Sequence, residues 1–171
     1  MIETNLLQYP NLKLMNFIDE CKKLGYKNND SLHSMNFYWC LKNNGMWFET
    51  SVDKRIVGIS GVHPFKDGYR ALYRGCQLFS RSNGLTKNHL NCWMFYYHLP
   101  YVINASSDYN IYITTNTHND VSGYMKKLNK VYFILEKNKI VSYVGCEMLN
   151  NTQQNIWLLN KDNYIIARGG I

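Results

Sequence analysis

Charge is scarce in this chain of 171 residues: Asp, Glu, Lys and Arg make up only 18% of it. The polar surface must therefore lean on the many Asn residues. No apolar run reaches the roughly 18 residues that a membrane span needs. The start, Met1-Ile-Glu-Thr-Asn5, lacks the basic stretch and apolar core of a signal peptide. Cys-x-x-Cys pairs are absent too. The five cysteines (Cys21, Cys40, Cys76, Cys92 and Cys146) are odd in number and scattered. That argues for reduced thiols in a cytoplasmic protein and against a disulfide framework or a zinc site. His, Cys and carboxylates show no metal-ligand spacing, so no metal is expected. Glycine-rich kinase and Rossmann loops, internal repeats and linkers are all missing.

What remains is a globular composition, 46% apolar and 15% aromatic. One domain over residues 1–171 is expected, long enough for a single sizeable core. The net charge of +7 suits nucleic acid, an anionic cofactor or an acidic partner. No run of five basic residues occurs, and the densest cluster is Lys126-Lys127 with Lys130. Charge spread in this way reads first as a solvated face.

The chain is organised around Tyr69–Pro100. A strand over 69–79 runs into a polar turn, Ser80-Arg-Ser-Asn-Gly84-Leu-Thr86. A helix over 87–99 follows, closed by Pro100. Free N–H groups of a first helical turn, with the helix dipole behind them, make such a turn an anion site.

Before it, Leu6-Leu7 and Tyr9 suggest a short edge strand. Apolar spacing predicts helices over 11–24 and 31–44. Strands are predicted at 46–52 and 55–62, joined by the Asp53-Lys54 turn. A second turn at Pro64–Gly68 leads into strand 69–79, its Asp-Gly pair placed for positive backbone angles. Gly58, Gly61 and Gly75 inside these strands suggest bulges or close backbone approach.

After the central helix, Tyr109–Thr115 reads as a strand parallel to 69–79. Residues 116–128 read as a helix capped by Asn119 or Asp120. A hairpin of strands 131–135 and 140–144 follows, turning through 136–139. Residues 154–159 suggest a last strand, and the tail from Ala167 is expected to fray. The order is (β)ααβββαβαββ. The expected class is α+β: a mixed, mostly antiparallel, twisted sheet flanked by helices.

This order, with the turn beginning at Arg81, resembles the GNAT superfamily of acyl-CoA N-acyltransferases. The family's pyrophosphate loop reads Gln or Arg, two variable residues, Gly, one variable residue, then Gly or Ala. Arg81-Ser-Asn-Gly84-Leu-Thr86 supplies the Arg and the first Gly, and departs at Thr86. The resemblance covers roughly residues 10 to 147. It implies acetyl-CoA or another acyl-CoA as the acyl donor. The diphosphate would lie on Arg81, Ser82, Asn83, Gly84, Leu85 and Thr86. The backbone of Leu78, Phe79 and Ser80 would take the pantetheine arm by β-augmentation, across from Ile111 to Thr115. On the second helix, Asn119 and Tyr124 match the family's Asn and Tyr. Asn129-Lys-Val-Tyr132 would then stand where Gly-Phe opens the next strand. Tyr124 is the implied general acid for the departing CoA thiolate.

Strand 69–79 contains no Asp or Glu to act as a base. Glu49 and His63 are the candidates elsewhere, each more readily read as a surface or turn residue than as a base. His89 could reach a phosphate, and His98 suits a helix C-terminus. Cys76 reads as a buried strand thiol. The reaction implied is acyl transfer, chiefly of acetyl, to a primary amine of a small molecule or peptide. The other reading is a non-catalytic protein of the same fold that binds nucleic acid or a protein partner. A homodimer is compatible with either.

Overall fold

A computed structural model describes residues 2–6, 42–74, 108–118, 124–149 and 151–168, with residues 16, 19, 99, 103 and 104. The strands are β1 (Ile2–Leu6), β2 (Met46–Val52), β3 (Arg55–Phe65), β4 (Gly68–Arg74), β5 (Asn110–Asn116), β6 (Val141–Leu149) and β7 (Thr152–Leu159). The helices are α1 (Tyr124–Lys137) and α2 (Lys161–Arg168). The strands form one sheet in the order β1-β2-β3-β4-β5-β7-β6. It is mostly antiparallel, and β4 and β5 run parallel. The α+β class holds. Asn16, Asp19 and Lys42 are helical, inside the expected helices 11–24 and 31–44, and so is Leu99 of 87–99. The rest of those helices lies outside the described residues. Among the described residues no helix is long and apolar enough to cross a membrane.

The chain divides into two compact units, residues 1–64 with 71–105 and residues 65–70 with 106–171. In the first, β2 occupies the predicted 46–52. Asp53 and Lys54 both take positive φ, 49° and 66°. Two left-handed residues give the turn a twist matching that of the flanking strands. An edge strand lies at Ile2–Leu6, its place set by pairing with β2 from Ile2↔Val52 to Leu6↔Phe48; Leu7 and Tyr9 of the expected edge strand lie outside the described residues. At Gly61 the close approach is made by a side chain and not by a backbone. A Cβ there would come within 2.7 Å of the Trp47 ring, which lies across the strand. Among the described residues of this unit, Trp47, Phe48, Ile56, Val62, Leu99 and Ile103 are buried and apolar.

In the second unit, the sequence expectations move. The Asp67-Gly68 pair is no positive-φ turn; Lys66 carries the positive φ, at 51°. Gly68 is needed for a different reason. A Cβ on it would sit 2.0 Å from the Asn110 carbonyl oxygen, inside the parallel ladder Gly68↔Asn110, Tyr69↔Ile111, Arg70↔Tyr112.

The expected strand 131–135 is the second half of α1. Asn129, Tyr132 and Glu136 recur at three and four residues, and Tyr132 is buried while Phe133 and Ile134 are exposed. That is a helical face, and packing overrides the strand preference of Val-Tyr-Phe-Ile. The expected turn 136–139 is the end of this helix. The Ile140 N–H bonds the Leu135 carbonyl and the Lys139 N–H bonds the Glu136 carbonyl, with Lys139 at φ 59°. These bonds make a Schellman cap, with lysine where glycine is usual. The true hairpin is β6–β7, and β7 contains the predicted last strand 154–159. The expected frayed tail is helical to Arg168, and only residues 169–171 lie outside the description. Asn160 caps this α2: its Oδ1 accepts the Asn163 N–H at 3.0 Å.

Candidate functional site

Most sequence-predicted site residues (Leu78, Phe79, Ser80, Arg81, Ser82, Asn83, Gly84, Leu85, Thr86 and Asn119) lie outside the described residues. So do Cys76, His89 and His98. Tyr124 is the first residue of α1, and its side chain is outside the description. Asn129–Tyr132 does not open a strand; it lies inside α1, and the next strand begins at Val141. The two base candidates fall on the meander. Strand alternation puts Glu49 on the face of Trp47, and Gly61, opposite Trp47, shares that face with His63. His63 is buried and donates from Nδ1 to the Pro64 carbonyl at 2.9 Å. A carbonyl only accepts, so Nδ1 of this ring carries a proton.

The described part of the site is the strand β5 and what holds it. Ile111, Tyr112, Ile113 and Thr115 are all buried, so this strand is covered on both faces. At its start, the Tyr112 hydroxyl donates to Asp67 Oδ1 at 2.5 Å, and Asn110 Nδ2 donates to Asp67 Oδ2 at 3.1 Å. The same bond lowers the Asp67 pKa and raises that of Tyr112. It ties the β3–β4 turn to β5.

At the other end of β5 lies a polar network. Trp157 Nε1 donates to Thr115 Oγ1 at 3.0 Å, and that hydroxyl donates to Asn129 Oδ1 at 2.6 Å. Asn155 Nδ2 donates to the same Asn129 oxygen at 2.9 Å. Asn129 Nδ2 donates to the backbone carbonyl of Asn116, the last residue of β5, at 2.8 Å. One asparagine on α1 thus fixes the carboxyl end of β5. Aromatic packing supports it. Trp157 has no exposed surface, and its ring lies 5.5 Å from Tyr132, 5.1 Å from Phe133 and 5.2 Å from Tyr143. Such pairs are worth about 0.5–1.5 kcal/mol each beyond the area they bury. Nothing in the network titrates near neutral pH, so its work is positional.

On the opposite face, Arg70 of β4 reaches along β5. Its Nε donates to Thr114 Oγ1 at 2.9 Å and its Nη2 to Gln154 Oε1 at 3.1 Å. Loss of water around the guanidinium lowers its pKa.

No protein-family model matches the sequence, and no curated protein matches it either. Solved structures do match. An aminoglycoside 6'-N-acetyltransferase from Enterococcus faecium superposes with a TM-score of 0.58 at 12% identity, over 92% of this chain and 96% of that one. An acyl-CoA N-acyltransferase from Pseudomonas aeruginosa gives 0.57 at 7% identity, over 93% and 99%. A GNAT family acetyltransferase from Elizabethkingia anophelis, solved with acetyl-CoA bound, gives 0.54 at 9% identity, over 92% and 97%. The chain has the GNAT fold. The GNAT likeness extends over nearly the whole chain, whereas the sequence resemblance stops near residue 147.

Within the GNAT fold, the residues that sequence reasoning passes over are Arg70, Thr115, Asn129 and Asn155. Asn129 was visible only as a poor match to Gly-Phe. Arg70 had one available signal, a cation inside a strand of an otherwise charge-poor chain.

Proposed function

We propose that this protein transfers an acyl group, chiefly acetyl, from acyl-CoA to a primary amine in the cytoplasm. The observation that carries the reading is the parallel β4–β5 pair set in an otherwise antiparallel sheet, in a chain that superposes over 92% of its own length on a GNAT enzyme solved with acetyl-CoA. The described residues fit such a donor. The net charge of +7 opposes the phosphates of CoA. The carboxyl end of β5 is polar and fixed, through Thr115, Asn116 and Asn129.

In this reading Arg81–Thr86 offers backbone N–H groups to the diphosphate, and Asn119 is assigned to the same ligand. The backbone of Leu78–Ser80 holds the amide-bearing arm. Acyl transfer to an amine needs the amine neutral and the departing thiolate protonated. Tyr124 is assigned the second task. Glu49 or His63, which share a face of the meander, takes the amine proton. The acceptor is a small molecule or a peptide.

Thermal melting with acetyl-CoA tests the reading. A ligand at 100 times its dissociation constant adds about 2.7 kcal/mol, which at this chain length raises Tm by about 5–10 °C. Gly84→Glu should abolish that shift while leaving the unliganded melt cooperative. No shift in the wild-type protein, together with salt-sensitive binding to DNA or RNA, would replace this reading with nucleic-acid binding.

A further inference from the structure

We propose that Arg70 is an anion-reading group facing the acceptor, and that it takes the carboxylate of a carboxylate-bearing amine substrate. The identification of that ligand as the acceptor rests on the acyl-transfer reading; the anion site itself does not.

Arginine has five N–H donors, and Arg70 commits two of them. Both of these partners are neutral oxygens, Thr114 Oγ1 and Gln154 Oε1. Nε and Nη2 lie on one side of the planar group, so these bonds use its side edge. The end edge, formed by Nη1 and the second Nη2 hydrogen, has no bonded partner among the described residues. Two parallel N–H groups on that edge match a carboxylate in a fork-to-fork pair.

Two described carboxylates, one in register with Gln154 and one in the turn before β4, are already engaged. Glu147, paired in register with Gln154, binds Lys66 Nζ at 2.6 Å. Asp67 holds Tyr112 and Asn110. The guanidinium is half-buried and partly stripped of water, and that makes an unpaired cation costly. A ligand carboxylate would remove the cost.

Its direction fits as well. Arg70 pairs in register with Tyr112, yet its side chain reaches Thr114 and Gln154, and Gln154 is opposite Asn116 at the end of β5. The charge is therefore carried toward the carboxyl end of a parallel strand, where α/β sheets commonly place ligands. Thr114 and Gln154 hold the fork at two points, so it is aimed before any ligand arrives. A polycationic amine would meet like charge here.

Thermal melting with small probes decides this, at ionic strength matched with chloride. Succinate and β-alanine carry carboxylates; succinamide and β-alaninamide are their neutral-headed twins. Wild-type protein should show a saturable rise in Tm with the two carboxylates only. Arg70→Gln should lose the rise. Arg70→Lys keeps the charge without the planar edge, and should weaken the apparent affinity about tenfold. If the Gln variant fails to fold, the Lys variant carries the comparison. Equal rises with acids and amides, or an undiminished rise in Arg70→Lys, would overturn the site. Melts with acetyl-CoA run beside these. A carboxylate rise without an acetyl-CoA rise upholds the anion site and removes the acyl-transfer reading. An acetyl-CoA rise without a carboxylate rise does the reverse.

Discussion

Replacing Asn129 with alanine should be among the more damaging single changes on α1. The side chain makes three hydrogen bonds, at 2.6, 2.9 and 2.8 Å, to Thr115, Asn155 and the Asn116 carbonyl. Each is worth about 1 kcal/mol net. Thr115 is only 3% exposed, so its hydroxyl would lose its acceptor with little water to replace it. That adds about 1 kcal/mol of unmet desolvation. The expected loss is about 3–4 kcal/mol, or about 6–15 °C in Tm for a chain of this length. Urea unfolding followed by far-UV circular dichroism gives the number, with an unchanged slope showing that stability alone has moved. Asn138→Ala is the matched control. Its Nδ2 donates to the Ile134 carbonyl at 3.0 Å from an exposed position, and its loss should cost less than about 0.5 kcal/mol. A double cycle with Thr115→Val should show coupling of about 1 kcal/mol, because the two side chains share one bond. A cost below about 1 kcal/mol for Asn129→Ala, or additivity with Thr115→Val, would refute the claim that this network fixes β5.

Three further outcomes are expected. Gly68→Ala should destabilise by about 3 kcal/mol or more, since its Cβ would stand 2.0 Å from a backbone oxygen that cannot move without breaking the β4–β5 ladder; a near-neutral melt would mean that the ladder is not as described. Tyr112→Phe should flatten the pH dependence of stability. The lowered Asp67 pKa stabilises above about pH 4 and is lost as pH falls through it, while the raised Tyr112 pKa stabilises below about pH 10 and is lost as pH rises through it. Melting curves from pH 2 to 11 should show both slopes in wild type and neither from this pair in the variant. Lys139→Gly should stabilise by about 0.5–1 kcal/mol, because φ 59° costs an L-residue and not glycine; a loss of stability in denaturant would show that the Lys139 side chain matters more than its backbone.

Lys139 also explains why the fold was legible in order but not everywhere in range. The order of the described strands, with one helix between β5 and β6, agrees with (β)ααβββαβαββ, to which α2 is added at the end, and strands such as Met46–Val52 match to the residue, because their alternation and turns are local. The segment after β5 misleads for two reasons. Its helix ends on a left-handed lysine, so the usual glycine stop signal is missing. Its last turns are built from Val, Tyr, Phe and Ile, which prefer strands, and packing such as that of Tyr132 and Phe133 on Trp157 outweighs that preference. The strand pair then slides toward the C-terminus, from 131–144 to 141–159. Asn160, a good cap followed by Asp162 in the first turn, was a readable sign of α2.

The candidate site was legible where chemistry sits in a motif and illegible where it is assembled from distant strands. Thr115, Asn129, Asn155 and Trp157 come from three elements, and no spacing in one sequence predicts their meeting. Arg70 is different, because its meaning depends on an absence that the sequence does show. Strand 69–79 carries no Asp or Glu, which first looks like a missing catalytic base. Placed on β4, the same absence has a second consequence. A carboxylate beside Arg70 would close its open edge as an internal ion pair, and the residue would then only hold strands together. Neutral partners, Thr114 and Gln154, orient the guanidinium without neutralising it. The lack of acidic residues on that strand is therefore what keeps the cation available to a substrate's carboxylate.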